Sequence, residues 1–457
     1  MRSLARTMIL AMAGGLAAPL AGAETLADAM IAAYRNSALL DQNEAVLRAA
    51  DEDVATAVST LRPVMAYSAT AGWQRAEIDT LLGPDVSEGL AASLALSAEL
   101  VLYDFGRSKV GIAIAKESVL ATREALIQTE QQVLLSAVSA YVDVRFAQEV
   151  VALRQSNFRL ITQELRAANA RFEVGETTKT DVAFAEARLA GSRAALAAAE
   201  GQLLVAREAY KAATGDYPGD LAALPSLPEL PAGLEAAQEV ARATHPLIHQ
   251  AQHLLALAEL QVDMAKAGMK PTLGASASVS INQDQQQTET VGIALSQTLY
   301  AGGRLASTLR KAIAGKDGAR AGLQQTSVGV IEQVGMAWAN LAVATAQIAA
   351  SDQQTQAAQA AFDGVKEQAD AGAKTTLDVL DAEQELLDAR NARLEAEAQR
   401  YVLTYQVLST LGLLTVEHLQ LGIATYDPEA YYDAVKTAPA HSAQGAALER
   451  ILDRISD

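Results

Sequence analysis

Two carboxylates three residues apart, Asp378 and Asp381, follow a break between two long helical patterns in Gly372-Ala-Lys-Thr-Thr-Leu-Asp-Val-Leu-Asp381. Residues three apart share one helix face. The pair therefore concentrates negative charge on one face at the start of the second helix. A second copy lies 197 positions earlier, Gly175-Glu-Thr-Thr-Lys-Thr-Asp-Val182, with Gly175 matching Gly372 and Asp181 matching Asp378. In both copies a glycine suited to the left-handed C′ position ends one helix, and Thr-x-x-Asp (Thr178 to Asp181, Thr375 to Asp378) opens the next as a capping box. Capping accounts for Asp181 and Asp378 without any function. It does not account for Asp381, whose counterpart is Phe184.

Other candidate chemistry is sparse. His245, His249 and His253 fall at i, i+4 and i+8, a spacing that could put three imidazoles on one helix face as metal ligands. No carboxylate pattern nearby completes such a site, so no metal and no cofactor is expected. Cysteine is absent, and neither Gly-x-Ser-x-Gly nor a phosphate-binding loop occurs. An enzyme is not expected. The formal charge of −18 argues against nucleic-acid binding, which draws its affinity from basic patches.

The elements that must position the acidic pair come in two sets. Residues 1–23 carry Arg2 and Arg6, an apolar run from Met8 to Leu20 and Ala21-Gly-Ala23, the pattern of a secretory signal peptide. From Glu24 to about Leu61 the period is helical. It then changes to two, with Met65, Tyr67, Ala69, Ala71 and Trp73 alternating with small or polar residues, a loop over 77–89 with Gly83-Pro84-Asp85 as its turn, and a return strand over about 90–102. Trp73 is a candidate interfacial anchor, or simply part of the barrel packing. A helical pattern then runs from about Ser108 to Arg171, nearly 100 Å at about 1.5 Å per residue. The first hairpin tip falls at about 172–180, and a second helix follows from about Thr178 to Thr214. A proline-rich connector (Pro218, Pro225, Pro228, Pro231) leads on, and the first repeat closes near residue 233.

The second repeat, 234–413, follows the same plan. His245-Pro246 opens a helix, strands are expected over about 273–282 and 291–300, and the second tip lies at about 369–377. Tyr300-Ala-Gly-Gly-Arg304 falls 197 positions after Tyr103-Asp-Phe-Gly-Arg107, and the same offset relates Gly412 to Gly215. Residues 414–457 read as an outer segment with a short amphipathic stretch, Leu448 to Ile455. Each strand is long enough to cross a bilayer when tilted, apolar on one side and polar on the other as in outer-membrane barrels. Four strands cannot close a barrel, and an open edge cannot face lipid. Several chains must therefore contribute, two giving eight strands and three giving twelve.

In order, spacing and duplication these motifs resemble the TolC family of outer-membrane efflux and secretion ducts. They are Tyr103-Asp-Phe-Gly-Arg107, Arg171-Phe-Glu-Val-Gly175 with Thr180-Asp181, Gly372 with Asp378-Val-Leu-Asp381, and Leu411-Gly412. The resemblance implies a mainly α fold with a small β part. A long α-helical barrel would cross the periplasm below a twelve-stranded β-barrel that three identical chains complete in outer-membrane lipid. The implied function is an exit duct for type I protein secretion or multidrug efflux, working with a periplasmic adaptor and an inner-membrane ABC or proton-driven transporter. It also implies that Asp378 and Asp381 form acidic rings at a narrow periplasmic entrance, and that bonds from the second hairpin to Thr180 and Asp181 on the first hold the closed state. Lys374 stands where an arginine is typical and Ala369 where a tyrosine is, and lysine lacks the planar fork of arginine, so a weaker latch is expected. The missing cysteine sets the chain apart from lipid-anchored relatives and leans toward secretion. A periplasmic coiled coil without a pore is the alternative, and it leaves the four paired strands unexplained.

Overall fold

The computed structural model describes residues 23–80 and 83–438. Nearly all of the expected signal segment, and the stretch Leu448–Ile455, lie outside the described residues. The element order is α1 (Leu26–Asn36), α2 (Ala38–Ser59), β1 (Val64–Thr80), β2 (Gly83–Tyr103), α3 (Arg107–Glu173), α4 (Lys179–Thr214), α5 (Leu234–Thr244), α6 (Pro246–Ala267), β3 (Thr272–Asn282), β4 (Gln287–Ser296), α7 (Arg304–Asp370), α8 (Thr376–Thr410) and α9 (Pro428–Val435). The helices α3 and α7 both have 67 residues, so each spans about 100 Å. Their ends keep the 197-residue offset at both termini, which keeps the two hairpin tips level.

The strands form one antiparallel sheet in the order β1-β2-β3-β4. Its register sorts side chains by face. Tyr67, Leu96, Val279 and Glu289 lie in one row and Met65, Ala98, Ala277 and Val291 in the next, while Ala66, Ser97, Ser278 and Thr290 line the opposite face. The apolar face is left uncovered within one chain, with Tyr67, Val291 and Ile293 at least 70% exposed. The first hairpin is longer than its sequence suggests. Where a loop is expected over 77–89, the ladder continues to Thr80↔Gly83, and the ion pair between Arg75 and Glu88 (3.0 Å) fastens the extension. The second return strand is shifted toward the tip and ends at Ser296, leaving Leu299 and Tyr300 in the connection to α7. Among the described residues no helix is long and apolar enough to cross a membrane.

The main core sits at mid-height of α3. There Leu134, Val138 and Tyr141 meet Leu26 and Met30 of α1, Tyr210 of α4, and Tyr401, Tyr405 and Leu408 of α8. The Tyr141 hydroxyl donates to the carbonyl oxygens of Glu24 and Ala222, binding the start of the described chain to the connector after α4. Where α8 ends, Gly412 is left-handed (φ +79) and lies so close to the α5–α6 joint that a Cβ would sit 2.7 Å from the Thr244 carbonyl oxygen. Only glycine fits there. The short helix α9 packs on α2, with the half-buried Tyr432 against the cluster of Leu47, Val54 and Val119.

Candidate functional site at the hairpin tips

Both tips are built alike. Past α7, the Gly372 N–H donates to the Ala369 carbonyl and the Ala373 N–H to Gln368 (2.8 Å); past α3, Gly175 and Glu176 donate to Phe172 and Arg171 (2.8 Å). These wraps satisfy the orphan carbonyls of the helix ends, and they require the left-handed backbone of Gly372 (φ +77). A Cβ at Gly372 meets nothing within 4 Å, so Gly372→Ala isolates the backbone cost, about 1–2 kcal/mol. We expect hydrogen exchange of the Ala373 amide to speed up about tenfold, with the core of α7 unchanged. Unchanged exchange at the tip would contradict this.

The caps form as the spacing predicts. Thr375 N–H donates to Asp378 Oδ2 (2.9 Å) and Asp378 N–H to Thr375 Oγ1 (3.2 Å); in the first copy Thr178 and Asp181 exchange the same bonds, at 3.0 and 3.2 Å. Hydrogen bonds from Thr375, first backbone and then side chain, hold the Asp378 carboxyl below its usual range, with Lys374 helping. Hydrogen bonds from Thr178 and Thr177 do the same for Asp181. Both groups stay ionised well into the acid range.

The expected latch residues do not meet within one chain. Within one chain Lys374 turns to Asp378 of the helix it precedes (3.4 Å), Asp181 is occupied by Thr177 and Thr178, and Thr180 is exposed at the start of α4. No hydrogen bond or ion pair joins Lys374 to Thr180 or Asp181 among the described residues. The hairpins are tied instead by two pairs the sequence reading missed: Arg188 of α4 to Asp381 of α8 (2.5 Å) and Arg171 of α3 to Asp370 of α7 (3.4 Å). Leu380, next to Asp381, inserts among Ile161, Ala168, Val182 and Ala185 of the first hairpin. That insertion brings Asp381 to Arg188.

Two residues further along α8, Asn157 of α3 donates to Glu383 Oε1 (2.6 Å) in a buried contact between the same hairpins. The second carboxylate oxygen, Oε2, has no partner. Burial pushes the Glu383 carboxyl up to about 7; Asn157 and Lys366 pull it down and Glu164 pushes it up.

The three histidines go to separate tasks. His245 is the buried N-cap of α6, where Nδ1 accepts from Leu247 N–H (3.2 Å); burial, with His249 adding to it, lowers its pKa to about 4. His253 pairs with Glu117 (2.9 Å), and His249 lies 3.7 Å from Glu124. Among the described residues no group of three or more His, Cys, Asp or Glu is placed to hold a metal.

An amphipathic sheet with a bare apolar face, long paired hairpins below it and an acidic far end are the parts of a membrane-standing duct. The family model described as "Outer membrane efflux protein" matches residues 30–216 and again 238–412, and the chain belongs to that family. It is 33% identical to outer membrane efflux protein BepC of Brucella suis over 422 residues, covering 90% of this chain and 91% of BepC. It is 27% identical to outer membrane protein TolC of Escherichia coli (73% of this chain, 71% of TolC) and 25% identical to alkaline protease secretion protein AprF of Pseudomonas aeruginosa (74% and 73%). In fold it is similar to the Campylobacter jejuni CmeC outer membrane channel, with a TM-score of 0.75 at 17% identity over 90% of this chain and 89% of that one. It is similar also to VceC of Vibrio cholerae, with a TM-score of 0.72 at 20% identity over 85% and 96%. The protein is an outer-membrane efflux channel, of a family of channels rather than enzymes.

Proposed function

We propose that three copies of this chain form the exit duct of a tripartite export system, passing cargo from an inner-membrane ABC or proton-driven transporter and a periplasmic adaptor to the cell exterior. The observation that carries assembly from several copies is the sheet itself. Its outer strands, β1 and β4, each have an unpaired edge beside an exposed apolar face. Such edges cannot stand in lipid. Closure by three copies gives twelve strands over a ring of long helices, and removal of residues 1–23 precedes assembly. The six carboxylates of Asp378 and Asp381 then face one another at the periplasmic end, where like charges attract polyvalent cations. Arg188 and Arg171 hold each second hairpin against the first. The duct supplies no energy and does no chemistry. Similarity to BepC and AprF, one named for efflux and the other for protease secretion, supports both classes of cargo.

Native mass spectrometry of the detergent-purified mature protein tests the assembly. The expected mass is that of three chains each beginning at Glu24. A monomer that stays soluble without detergent would contradict the duct and favour a poreless coiled coil.

A further inference from the structure

A cleft of about 590 Å³ lies where the helices meet the β-sheet, between the start of α3, the end of α6 and the start of α7. Arg107, Arg304 and Lys311 line it with Gln261, Thr298 and Thr308, and no carboxylate does. Among the described residues none of the three cations makes an ion pair or a side-chain hydrogen bond, although the chain carries a net charge of −18. The surrounding sequence is basic as well, with Arg310, Lys316 and Arg320 against Asp317 alone on the first turns of α7. Arg107 and Arg304 are counterparts in the two repeats, so the duplication places two guanidinium groups on one cleft.

The two copies differ at one informative position. Asp104 receives the Gly106 and Ser108 N–H groups (3.1 and 2.7 Å) and neutralises the start of α3. Its counterpart is Ala301, so no carboxylate accepts the N–H groups at the start of α7, although both helices have a glycine as N-cap. A cation at a helix start opposes the helix dipole, and two of the cleft cations have that placement. The cleft also sits at a defined height. It lies just past the ends of β2 and β4, beside the exposed Tyr103, Leu299 and Tyr300 and below the apolar row Leu295, Ile293 and Val291. From Leu90, which pairs with Trp73, to Tyr103 the strand rises about 30 Å along the normal when tilted by about 45°. The exposed Trp73 and Tyr103 are therefore set apart by about the thickness of a bilayer's hydrocarbon core, and the cleft lies at the Tyr103 end.

We propose that this cleft binds the phosphate of an anionic phospholipid in the periplasmic leaflet, with its acyl chains on the apolar face of β4. Arginine offers phosphate a bidentate fork, and basic pockets at a membrane interface select anionic headgroups. The lipid would complete in the second repeat the charge balance that Asp104 provides in the first.

The test is native mass spectrometry of the mature protein in micelles doped with equal phosphatidylglycerol and phosphatidylethanolamine. We expect phosphatidylglycerol to be retained about tenfold over phosphatidylethanolamine, and the preference to fall below about twofold in Arg304→Gln/Lys311→Gln. Ala301→Asp gives the second repeat the carboxylate of the first, keeps every cation and should also abolish the preference. Circular dichroism identifies a misfolded variant, and Ala301→Asp then decides. Equal retention of the two lipids, or a preference that survives Ala301→Asp, overturns the proposal. So does binding of inorganic pyrophosphate without retained lipid, which would make this a site for soluble anions.

Discussion

Arg188→Glu should open the duct at its periplasmic end, raising single-channel conductance several-fold while leaving the trimer and its helical content intact. The Arg188–Asp381 pair is partly exposed, with side chains 41% and 56% accessible, so one such pair contributes at most about 1 kcal/mol. Reversing the charge replaces attraction with repulsion of similar size. In the proposed trimer three such reversals shift the balance between closed and open tips by up to about 6 kcal/mol, enough to move a mostly closed population to a mostly open one. Arg171→Glu should act in the same direction and more weakly, since its contact with Asp370 is longer. Conductance recorded in a planar bilayer checks this, and an unchanged value in Arg188→Glu would remove the pair from the closing mechanism.

Glu383→Gln should stabilise the protein above neutral pH and leave it unchanged in acid. The carboxyl is raised from its ordinary 4.5 to about 7, chiefly by burial. Between those pH values the folded state holds a proton that the unfolded state has released. Stability is therefore fully present below about pH 4.5, declines as pH rises through the folded pKa and is flat above it. Glutamine keeps the bond from Asn157 and carries no charge, so it should gain about 1–3 kcal/mol at about pH 8 and almost nothing at about pH 4.5. Guanidinium unfolding at both pH values reads this out. An equal gain at both would mean that shape rather than charge is responsible.

The tips were legible in the sequence because their devices are local. Gly372 with Thr375-x-x-Asp378, and Gly175 with Thr178-x-x-Asp181, are completed within a few residues. The duplication was legible for the same reason, as an offset that holds across both long helices. The ties between hairpins were not. Arg188 and Asp381 lie 193 residues apart, and their meeting depends on Leu380 entering the first hairpin; no local spacing encodes that. The contact of Asn157 with Glu383, across 226 residues, was hidden in the same way. The first β-hairpin misled because Gly83-Pro84-Asp85 carries a turn signal, while strand pairing runs past it and holds these residues in the ladder. Helix α9 did leave a signal, Asp427 as N-cap followed by Pro428, in a stretch whose apolar period is too short to stand out.

The most direct test of the central claim is single-channel recording of the mature protein with a trivalent cation added to each side in turn, repeated with Asp378→Ala/Asp381→Ala. The account predicts block from the side facing the hairpin tips alone. In the double variant that block should weaken about 100-fold or more, as six carboxylates leave one constriction, and conductance should rise because Arg188 loses its partner. Block of equal strength from both sides, block that persists in the double variant, or a protein that forms no channels would contradict an acidic entrance at the hairpin tips.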